Sequence, residues 1–419
     1  MSSATDRVVA GIDPEEVAAL AVYLGAIEAP AGAEGPAADA VEGWLREQGF
    51  RPRRIGLVAE RPSIVARLDG TGNGPTLIFN AHLDTAISRE DWLVYRDPTQ
   101  DKYVSAWREG DRLYGNGLVN DKAPMAAFLI AAAAIRRSGI RLAGDVLLHA
   151  VPGEIGLEPV DELQGPLHLG KDLGARYAIA HGVVGDAALV AEATGDTMGW
   201  VQAGKAFFKV TVLGDEPLYT PFVPLEPDPL AHPSAIVRLA PVIAAINTWA
   251  TRYGERRYEC PGGTVSPKAN IGAVRSGRPD KMTKSTEVAF LYLDVRLTPD
   301  GDAMSVQREL VETLGESGVP CKVECVLYRR GFEAQGIEEL ADAVRGAHRD
   351  EFGSDPGTPA APITSMWRDT NPFNEAGIPS LTYGPSSSTG GGNVSVSVEE
   401  LARSSRVYAR TALRYCGVA

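Results

Sequence analysis

Apolar segments of strand length alternate with helical segments in the first half of the chain, and this alternation restricts the fold more than any other feature. Strands are predicted at 63–68, 76–80 and 145–150, with a further apolar run at 187–190 and a helix at 123–138. Strands that alternate with helices are typical of a mostly parallel sheet that helices cover on both faces. We therefore predict an α/β fold.

The alternating pattern stops near residue 200 and returns after residue 330. The intervening sequence predicts two helices beside short antiparallel strands, which is enough chain for a compact domain. A chain of 419 residues is also too long for one ordinary core. We therefore predict a catalytic domain in two parts, residues 1–199 and 331–419, with a smaller α+β domain inserted at residues 200–330.

Composition and charge exclude several classes of partner. The formal net charge is -13 and no basic stripe is present, so we expect no nucleic acid and no anionic membrane as a partner. The four cysteines are scattered without a CxxC pair, which is typical of a reducing compartment. The N-terminus lacks a signal-peptide pattern, and the apolar segment Met125–Ile135 is predicted to be a buried helix. We expect a cytoplasmic protein.

The most informative local sequence is NAHLDT at residues 80–85, directly after an apolar strand. Ligand sites in open α/β sheets form at the carboxyl ends of the strands. His82 can coordinate a divalent metal, and Asp84 can orient the imidazole ring by accepting its other N–H. Taken alone, the pair is explained equally well by a histidine that is hydrogen-bonded to a neighbouring carboxylate.

Other polar segments follow predicted strands or precede the buried helix. They are YGNGLVNDK at 114–122, GEIG at 153–156 and AEAT at 191–194. Since the carboxyl ends of parallel strands lie at one edge of a sheet, these segments are placed to converge on one rim.

In this order, the motifs resemble those of the M20 family of aminoacylase-like and carboxypeptidase-like metallohydrolases. HLDT, the NDK segment before a helix, GEIG and AEAT match the ordered family motifs, and Asp294-Val295-Arg296 and Gly377-Ile378-Pro379 fit the same pattern. The resemblance covers nearly the whole chain. It implies that the inserted domain is a lid and dimerisation domain, and that the protein forms a homodimer through it.

The resemblance also implies a metal site that has lost several ligands. His82 matches the first histidine ligand, Asp84 matches its orienting carboxylate, and Glu192 matches an acidic ligand of the same metal. The bridging aspartate of the family falls on Asn120, whose neutral amide is a poor bridge between two dications. The adjacent Asp121 is an alternative ligand.

The glutamate pair of the family falls on Gly153-Glu154 in this sequence. Glu154 then matches the metal-binding glutamate and the general base is missing. A shift of one residue makes Glu154 the base instead, although the flanking residues fit less well. The late histidine of the family falls near Gly390, and no histidine follows His348.

The histidine that lies in the lid domain of relatives falls near Tyr219, while His232 comes thirteen residues later. His181 precedes the strand that leads to Glu192 and is interpreted as a structural residue. Whether Tyr219, His232 or His181 enters the active site stays open at this point.

Four residues are predicted to bind substrate by the same resemblance. Arg296 matches the Asp-x-Arg element and can hold a substrate carboxylate through paired N–H bonds. An ion pair with Asp294 is the alternative interpretation of that arginine. Asn270 matches an asparagine that touches substrate in relatives, and Trp367 and Arg368 would add an aromatic wall and a second anion contact.

The resulting hypothesis is an M20-type hydrolase that cleaves an amide bond of an N-acyl or N-carbamoyl amino acid or a small peptide. One divalent ion, zinc or manganese, would bind at His82, Asn120 and Glu192. Asp84 and Glu154 would be the catalytic residues, with Glu154 moving the proton. Two alternatives stay open. One is a biosynthetic enzyme that catalyses amide formation, cyclisation or isomerisation in the same cleft with little or no metal. The other is a non-catalytic homologue.

Overall fold

The computed structural model describes residues 2–390 and 393–419, and the chain divides into two compact units. The first unit comprises Met1–Trp200, Ala334–Pro359 and Arg368–Ala419, and the second comprises Val201–Glu333 and Ala360–Trp367.

The segment Ala360–Trp367 belongs to the second unit, although the sequence predicts it in the second part of the catalytic domain. Hydrogen bonds explain the difference. The Ala203 N–H donates to the Thr364 carbonyl oxygen, and the Ser266 N–H donates to Ser365 Oγ at 2.8 Å. The segment therefore continues the structure of the inserted unit.

The strands predicted at 63–68, 76–80 and 145–150 and the apolar run at 187–190 each coincide with an observed strand to within two residues. In chain order the observed strands are β1 (Arg53–Ile55), β2 (Ser63–Leu68), β3 (Leu77–His82), β4 (Trp107–Glu109), β5 (Arg112–Tyr114), β6 (Val146–Val151), β7 (Ala187–Ala191), β8 (Val201–Gln202), β9 (Gly204–Leu213), β10 (Tyr258–Cys260), β11 (Gly263–Val265), β12 (Ala269–Ser276), β13 (Val288–Leu297), β14 (Cys321–Arg329), β15 (Phe332–Glu333), β16 (Ser380–Tyr383), β17 (Ser388–Gly390) and β18 (Asn393–Ser397).

The α-helices are α1 (Ser2–Ala10), α2 (Pro14–Gly25), α3 (Gly35–Glu47), α4 (Asp101–Val104), α5 (Ala123–Arg137), α6 (Ala175–Ala180), α7 (Ala235–Tyr253), α8 (Ala303–Glu316), α9 (Glu338–Phe352), α10 (Ala361–Thr364), α11 (Thr370–Glu375) and α12 (Val398–Tyr415). A π-helical turn, Leu118–Lys122, leads into α5. Single 3-10 turns lie at Pro166–His168, Gly170–Asp172, Thr220–Phe222 and Pro279–Lys281.

The main sheet of the first unit has the strand order β1-β2-β6-β3-β7-β16. Strands β6, β3, β7 and β16 run parallel to one another, and β2 and β1 continue the sheet in antiparallel pairing. In β3, Leu77 and Phe79 pack into one apolar cluster while Ile78 packs into another on the opposite face. The prediction of a mostly parallel sheet covered on both faces is confirmed.

Helix α5 is the central helix on one face of this sheet. The stretch Leu118–Arg137 is long and apolar enough to cross a membrane, with a mean hydropathy of 1.4, but 94% of it is buried inside the protein. Its side chains pack in the same cluster as those of β3 and α12. This stretch therefore serves as a core helix of the first unit.

The second unit contains an antiparallel sheet with the order β12-β13-β9-β14. Alternate residues of β9 and β13 are buried, as expected for a sheet with one covered face. Helices α7 and α8 cover that face, where Leu239 and Leu310 pack against Phe208 and Leu291. The predicted smaller α+β domain is thus present.

Candidate functional site

The candidate site lies at the carboxyl ends of three parallel strands of the first unit. His82 is the last residue of β3, Glu154 follows β6 and Glu192 follows β7 directly. Strand β3 pairs with both β6 and β7, so it lies between them. The register of the parallel sheet therefore brings these three segments to one edge, as the sequence predicted.

A group of three buried side chains there has the donor atoms of a metal site. One ligand atom each from His82, Asp121 and Glu192 lies within 4.8 Å of the others. These residues are only 1%, 0% and 4% exposed. Asp121 Oδ1 has no hydrogen-bond partner among the described residues, and Asn120 Oδ1 lies 3.2 Å from His82 Nε2. Both Asn120 and Asp121 thus face His82.

The orientation of His82 is set by Asp84, mainly through its backbone. His82 Nδ1 lies 2.9 Å from the Asp84 carbonyl oxygen and 3.6 Å from Asp84 Oδ1. A proton on Nδ1 that is donated to this carbonyl leaves the lone pair of Nε2 on the side of Asn120. The structure therefore presents the nitrogen that a metal ion would use.

The Asp84 carboxylate itself holds the loop after β6. It accepts hydrogen bonds from the backbone N–H groups of Glu154, Ile155 and Gly156 at 3.1, 2.8 and 3.1 Å. One residue thereby orients the histidine and fixes the segment that carries Glu154. The sequence predicted that the Asp84 carboxylate orients the ring, whereas the Asp84 carbonyl oxygen is the atom within hydrogen-bond distance of His82 Nδ1. The contact of the carboxylate with the loop was not predicted.

Two buried cations contact the carboxylates of the site. Lys171 Nζ lies 3.1 Å from Glu154 Oε1, and Arg368 Nε lies 3.4 Å from Glu192 Oε2. Arg368 was predicted from sequence as an anion contact, and its carboxylate partner belongs to the chain itself. Lys171 was missed, because it lies outside every motif and precedes a short helix without periodic signal.

The charges of the site favour a cation. Burial raises the pKa of Asp121 well above its ordinary range, and the Glu192 carboxylate raises it further. Burial alone would lower the pKa of His82, but Glu154, Asp84 and Glu192 outweigh burial, and the net shift is upward. An excess of buried carboxylates around one imidazole is the electrostatic setting of a metal site.

The pKa values of Glu154 and Asp369 are shifted in opposite directions. Burial raises the pKa of Glu154, but the Lys171 ammonium, with His82 and Arg368, outweighs it, so the net shift is downward. Burial, followed by the Glu154 carboxylate, raises the pKa of Asp369 to about 7. Asp369 Oδ2 accepts a hydrogen bond of 2.9 Å from Asn80 Nδ2. The site thus holds one carboxylate that stays ionised and another that retains a proton near neutral pH.

His82, Asp121 and Glu192 form one candidate metal site among the described residues. Histidine nitrogen and two carboxylates are suitable donors for a single ion. Glu154, the remaining carboxylate on the β6 side, is already paired with Lys171. Gly153 offers no side chain and has a φ of +73°, and a Cβ there would lie 2.8 Å from the Gly170 carbonyl oxygen.

The other predicted substrate residues lie in the second unit. Arg296 forms an ion pair with Asp294 at 2.8 Å, as the alternative interpretation had it. Asn270 is exposed on β12, opposite Asp294 in the sheet register, and Trp367 is buried. Contact of these residues with substrate stays a prediction.

The remaining histidine candidates have local partners. His181 Nδ1 lies 2.7 Å from the Tyr177 carbonyl oxygen and the two rings stack. His232 Nδ1 accepts a hydrogen bond from the Ser234 N–H, and Tyr219 is exposed. These contacts are consistent with a local role for His181 and His232.

A family model, that of peptidase family M20/M25/M40, matches residues 78–414. The chain belongs to this family. The sequence prediction of an M20 member is confirmed, and membership places the chain among hydrolases, as predicted. It gives no support to the non-hydrolytic alternatives.

Curated relatives of this M20 protein include a deformylase and a desuccinylase. It is 33% identical over 116 residues to an N-formyl-4-amino-5-aminomethyl-2-methylpyrimidine deformylase of Bacillus subtilis, covering 27% of this chain and 26% of the relative. It is 28% identical over 211 residues to a succinyl-diaminopimelate desuccinylase of Gluconobacter oxydans, covering 48% and 50%. The matched segments thus span about half or less of these relatives.

Solved structures share the fold over nearly the whole chain. Human carnosine dipeptidase 1 has a TM-score of 0.72 at 14% identity and covers 98% of both chains. A dinuclear metal-binding M20 peptidase of Bacillus subtilis has a TM-score of 0.60 at 15% identity and covers 96% of this chain and 97% of the other. At such identities the likeness establishes the fold alone.

Proposed function

We propose that this M20 protein is a hydrolase that uses one divalent ion, zinc or manganese, to cleave the amide bond of an N-acyl or N-carbamoyl amino acid or a small peptide. The observation that carries the proposal is the buried group of His82, Asp121 and Glu192, whose ligand atoms lie within 4.8 Å of one another. The names of the deformylase and the desuccinylase both describe the removal of an acyl group. They support an N-acylated compound as the substrate class.

His82, Asp121 and Glu192 would hold the ion, with the amide oxygen of Asn120 beside His82. An ion bound there would supply Lewis acidity for the amide carbonyl and for water. Asp84 keeps the His82 ring oriented and anchors the Glu154 loop. The positions of the donors therefore depend on hydrogen bonds that do not involve the ion.

Proton transfer is assigned to two carboxyl groups. Glu154 has a lowered pKa and stays ionised, so it can accept the proton of the attacking water. Asp369, whose pKa is about 7, can donate a proton to the departing nitrogen. Two acidic groups whose environments shift their pKa values apart are the usual arrangement for such a base and acid.

We assign the binding of the substrate carboxylate to an arginine. Arg368 lies beside Glu192 in the first unit, and Arg296 is the second candidate, in the inserted unit. A guanidinium can bind a carboxylate through two parallel N–H bonds. We also propose that the protein forms a homodimer through the inserted domain, on the basis of family membership. The charge and cysteine pattern supports a cytoplasmic location as part of the same proposal.

The test is the metal content of protein purified without a metal-affinity step, measured by elemental analysis. We expect about one zinc or manganese ion per chain, and we expect His82→Ala to lose it. His181→Ala is the control and should retain the ion, because His181 is exposed. Release of a free amine from a panel of N-formyl, N-acetyl, N-succinyl and N-carbamoyl amino acids then identifies the substrate. Absence of metal in the wild type, even after reconstitution, contradicts the proposed function.

A further inference from the structure

Lys171 is a buried cation that forms an ion pair with Glu154 in the candidate site. Its Nζ lies 3.1 Å from Glu154 Oε1, and its side chain and that of Glu154 are 6% and 9% exposed. Glu154 also perturbs the pKa values of His82, Asp121, Glu192 and Asp369. The ammonium group therefore lies beside the same carboxylate cluster that would bind the metal ion.

The segment that carries Lys171 also leaves no space for a side chain at residue 153. The Gly170 carbonyl oxygen would be 2.8 Å from a Cβ at Gly153, and Gly170 Cα would be 3.0 Å from a Cβ at Gly156. Two glycines in the 153–156 loop thus make room for the Gly170-Lys171 backbone. A side chain at residue 153 and the present path of the Gly170-Lys171 backbone therefore exclude each other.

We propose that Lys171 takes the place of a second metal ion in this site. The inference rests on the proposed function, which provides the first ion. A structural relative is described as a dinuclear metal-binding peptidase, whereas here the ammonium group neutralises Glu154 without a second ion. A fixed monovalent cation beside the cluster also weakens its attraction for further divalent ions.

Removal of this cation tests the inference without reference to catalysis. In Lys171→Met the unpaired Glu154 adds its charge to the cluster, and in Lys171→His a neutral imidazole is added beside Glu154 as a possible ligand. Arg406→Met is the matched control, because Arg406 forms a largely buried ion pair with Glu351 at 2.7 Å and Glu351 is not among the grouped metal donors. Lys171→Arg retains the positive charge.

Each protein is stripped with a chelator and titrated with Mn²⁺, and bound metal and Tm are measured. We expect Lys171→Met to have a lowered Tm without metal, and Mn²⁺ to raise that Tm by more than it raises the wild-type Tm. Lys171→His should bind about two ions per chain where the wild type binds about one. Lys171→Arg should match the wild type, and Arg406→Met should be destabilised without any additional metal response.

The outcomes separate this inference from the proposed function. If the wild type binds one ion and both Lys171→Met and Lys171→His bind Mn²⁺ like the wild type, Lys171 is only a structural partner of Glu154 and the inference is overturned. If the wild type binds none while a Lys171 variant gains an ion, Lys171 excludes an ion from the cluster, although the one-metal hydrolase fails. If neither the wild type nor the variants bind an ion, both proposals fail. Should Lys171→Met not fold, the ion count of Lys171→His decides.

Discussion

Asp84 accepts a hydrogen bond of 2.8 Å from the backbone N–H of Ile155. This contact joins the segment after β3 to the loop after β6, and two neighbouring amides of the loop bond the same carboxylate. Because the carboxylate accepts three N–H groups while buried, it holds the Glu154 loop in one position relative to His82. Residues from two different strands thereby act as one site.

Replacement of Asp84 by asparagine should therefore loosen this loop. The amide presents one oxygen to donors that face two carboxylate oxygens, and hydrogen bonds to a charged group contribute about 1.5–3 kcal/mol each. We expect Asp84→Asn to lose at least about 2 kcal/mol of unfolding free energy in urea and most of its bound metal. Asp13→Asn is the control, because asparagine caps a helix as well as aspartate does. Wild-type stability in Asp84→Asn would contradict the anchoring role.

Replacement of Glu154 by glutamine should remove the proposed base. Glutamine cannot accept the proton, and general-base catalysis contributes about 100- to 10,000-fold to a rate. We expect kcat to fall within that range while the first metal ion stays bound. Glu109→Gln, an exposed carboxylate that bonds Trp107 Nε1, should be unchanged. A fully active Glu154→Gln would remove this mechanism.

His149 should make the protein sensitive to acid. Burial lowers its pKa to about 3, and neither ring nitrogen has a hydrogen-bond partner among the described residues. The folded chain keeps this imidazole neutral while the unfolded chain protonates it near its ordinary pKa of 6.5. Its contribution to stability is therefore fully present above pH 6.5 and is lost as the pH falls towards 3.

The slope of this loss is about 1.4 kcal/mol per pH unit for one group. We expect His149→Leu to show a shallower decrease of unfolding free energy between pH 6.5 and pH 4, measured by urea denaturation at several pH values. His181→Leu, at an exposed position, should retain the wild-type slope. An unchanged slope in His149→Leu would show that another group causes the acid sensitivity.

Replacing only one partner of the buried ion pair between Glu34 and Arg61 should destabilise the protein. Arg61 also donates to the carbonyl oxygens of Pro166 and Leu167, so it fixes the loop that precedes Lys171. We expect Arg61→Met to lose about 3–5 kcal/mol of unfolding free energy, because a buried carboxylate is left unpaired. The double variant Glu34→Leu with Arg61→Met should recover part of this loss. A double-mutant cycle with no coupling would contradict the expectation.

Much of the fold could be predicted from local sequence. Strands Ser63–Leu68 and Val146–Val151 lie within one residue of their predicted bounds, because short apolar runs are typical of buried strands. The strand predicted at 76–80 continues to His82, so the histidine ends the strand itself. The predicted helix at 123–138 likewise agrees with α5, whose side chains are mostly apolar.

The sequence by itself determined the strands and the motifs that end them. His82, Glu154 and Glu192 could be placed at one edge of the sheet, because parallel strands bring their carboxyl ends together. Only the tertiary structure decided that Asp121 joins His82 and Glu192 in the donor group, and that Lys171 pairs with Glu154. These contacts depend on the path of irregular backbone between elements, and no periodic pattern of side chains encodes that path.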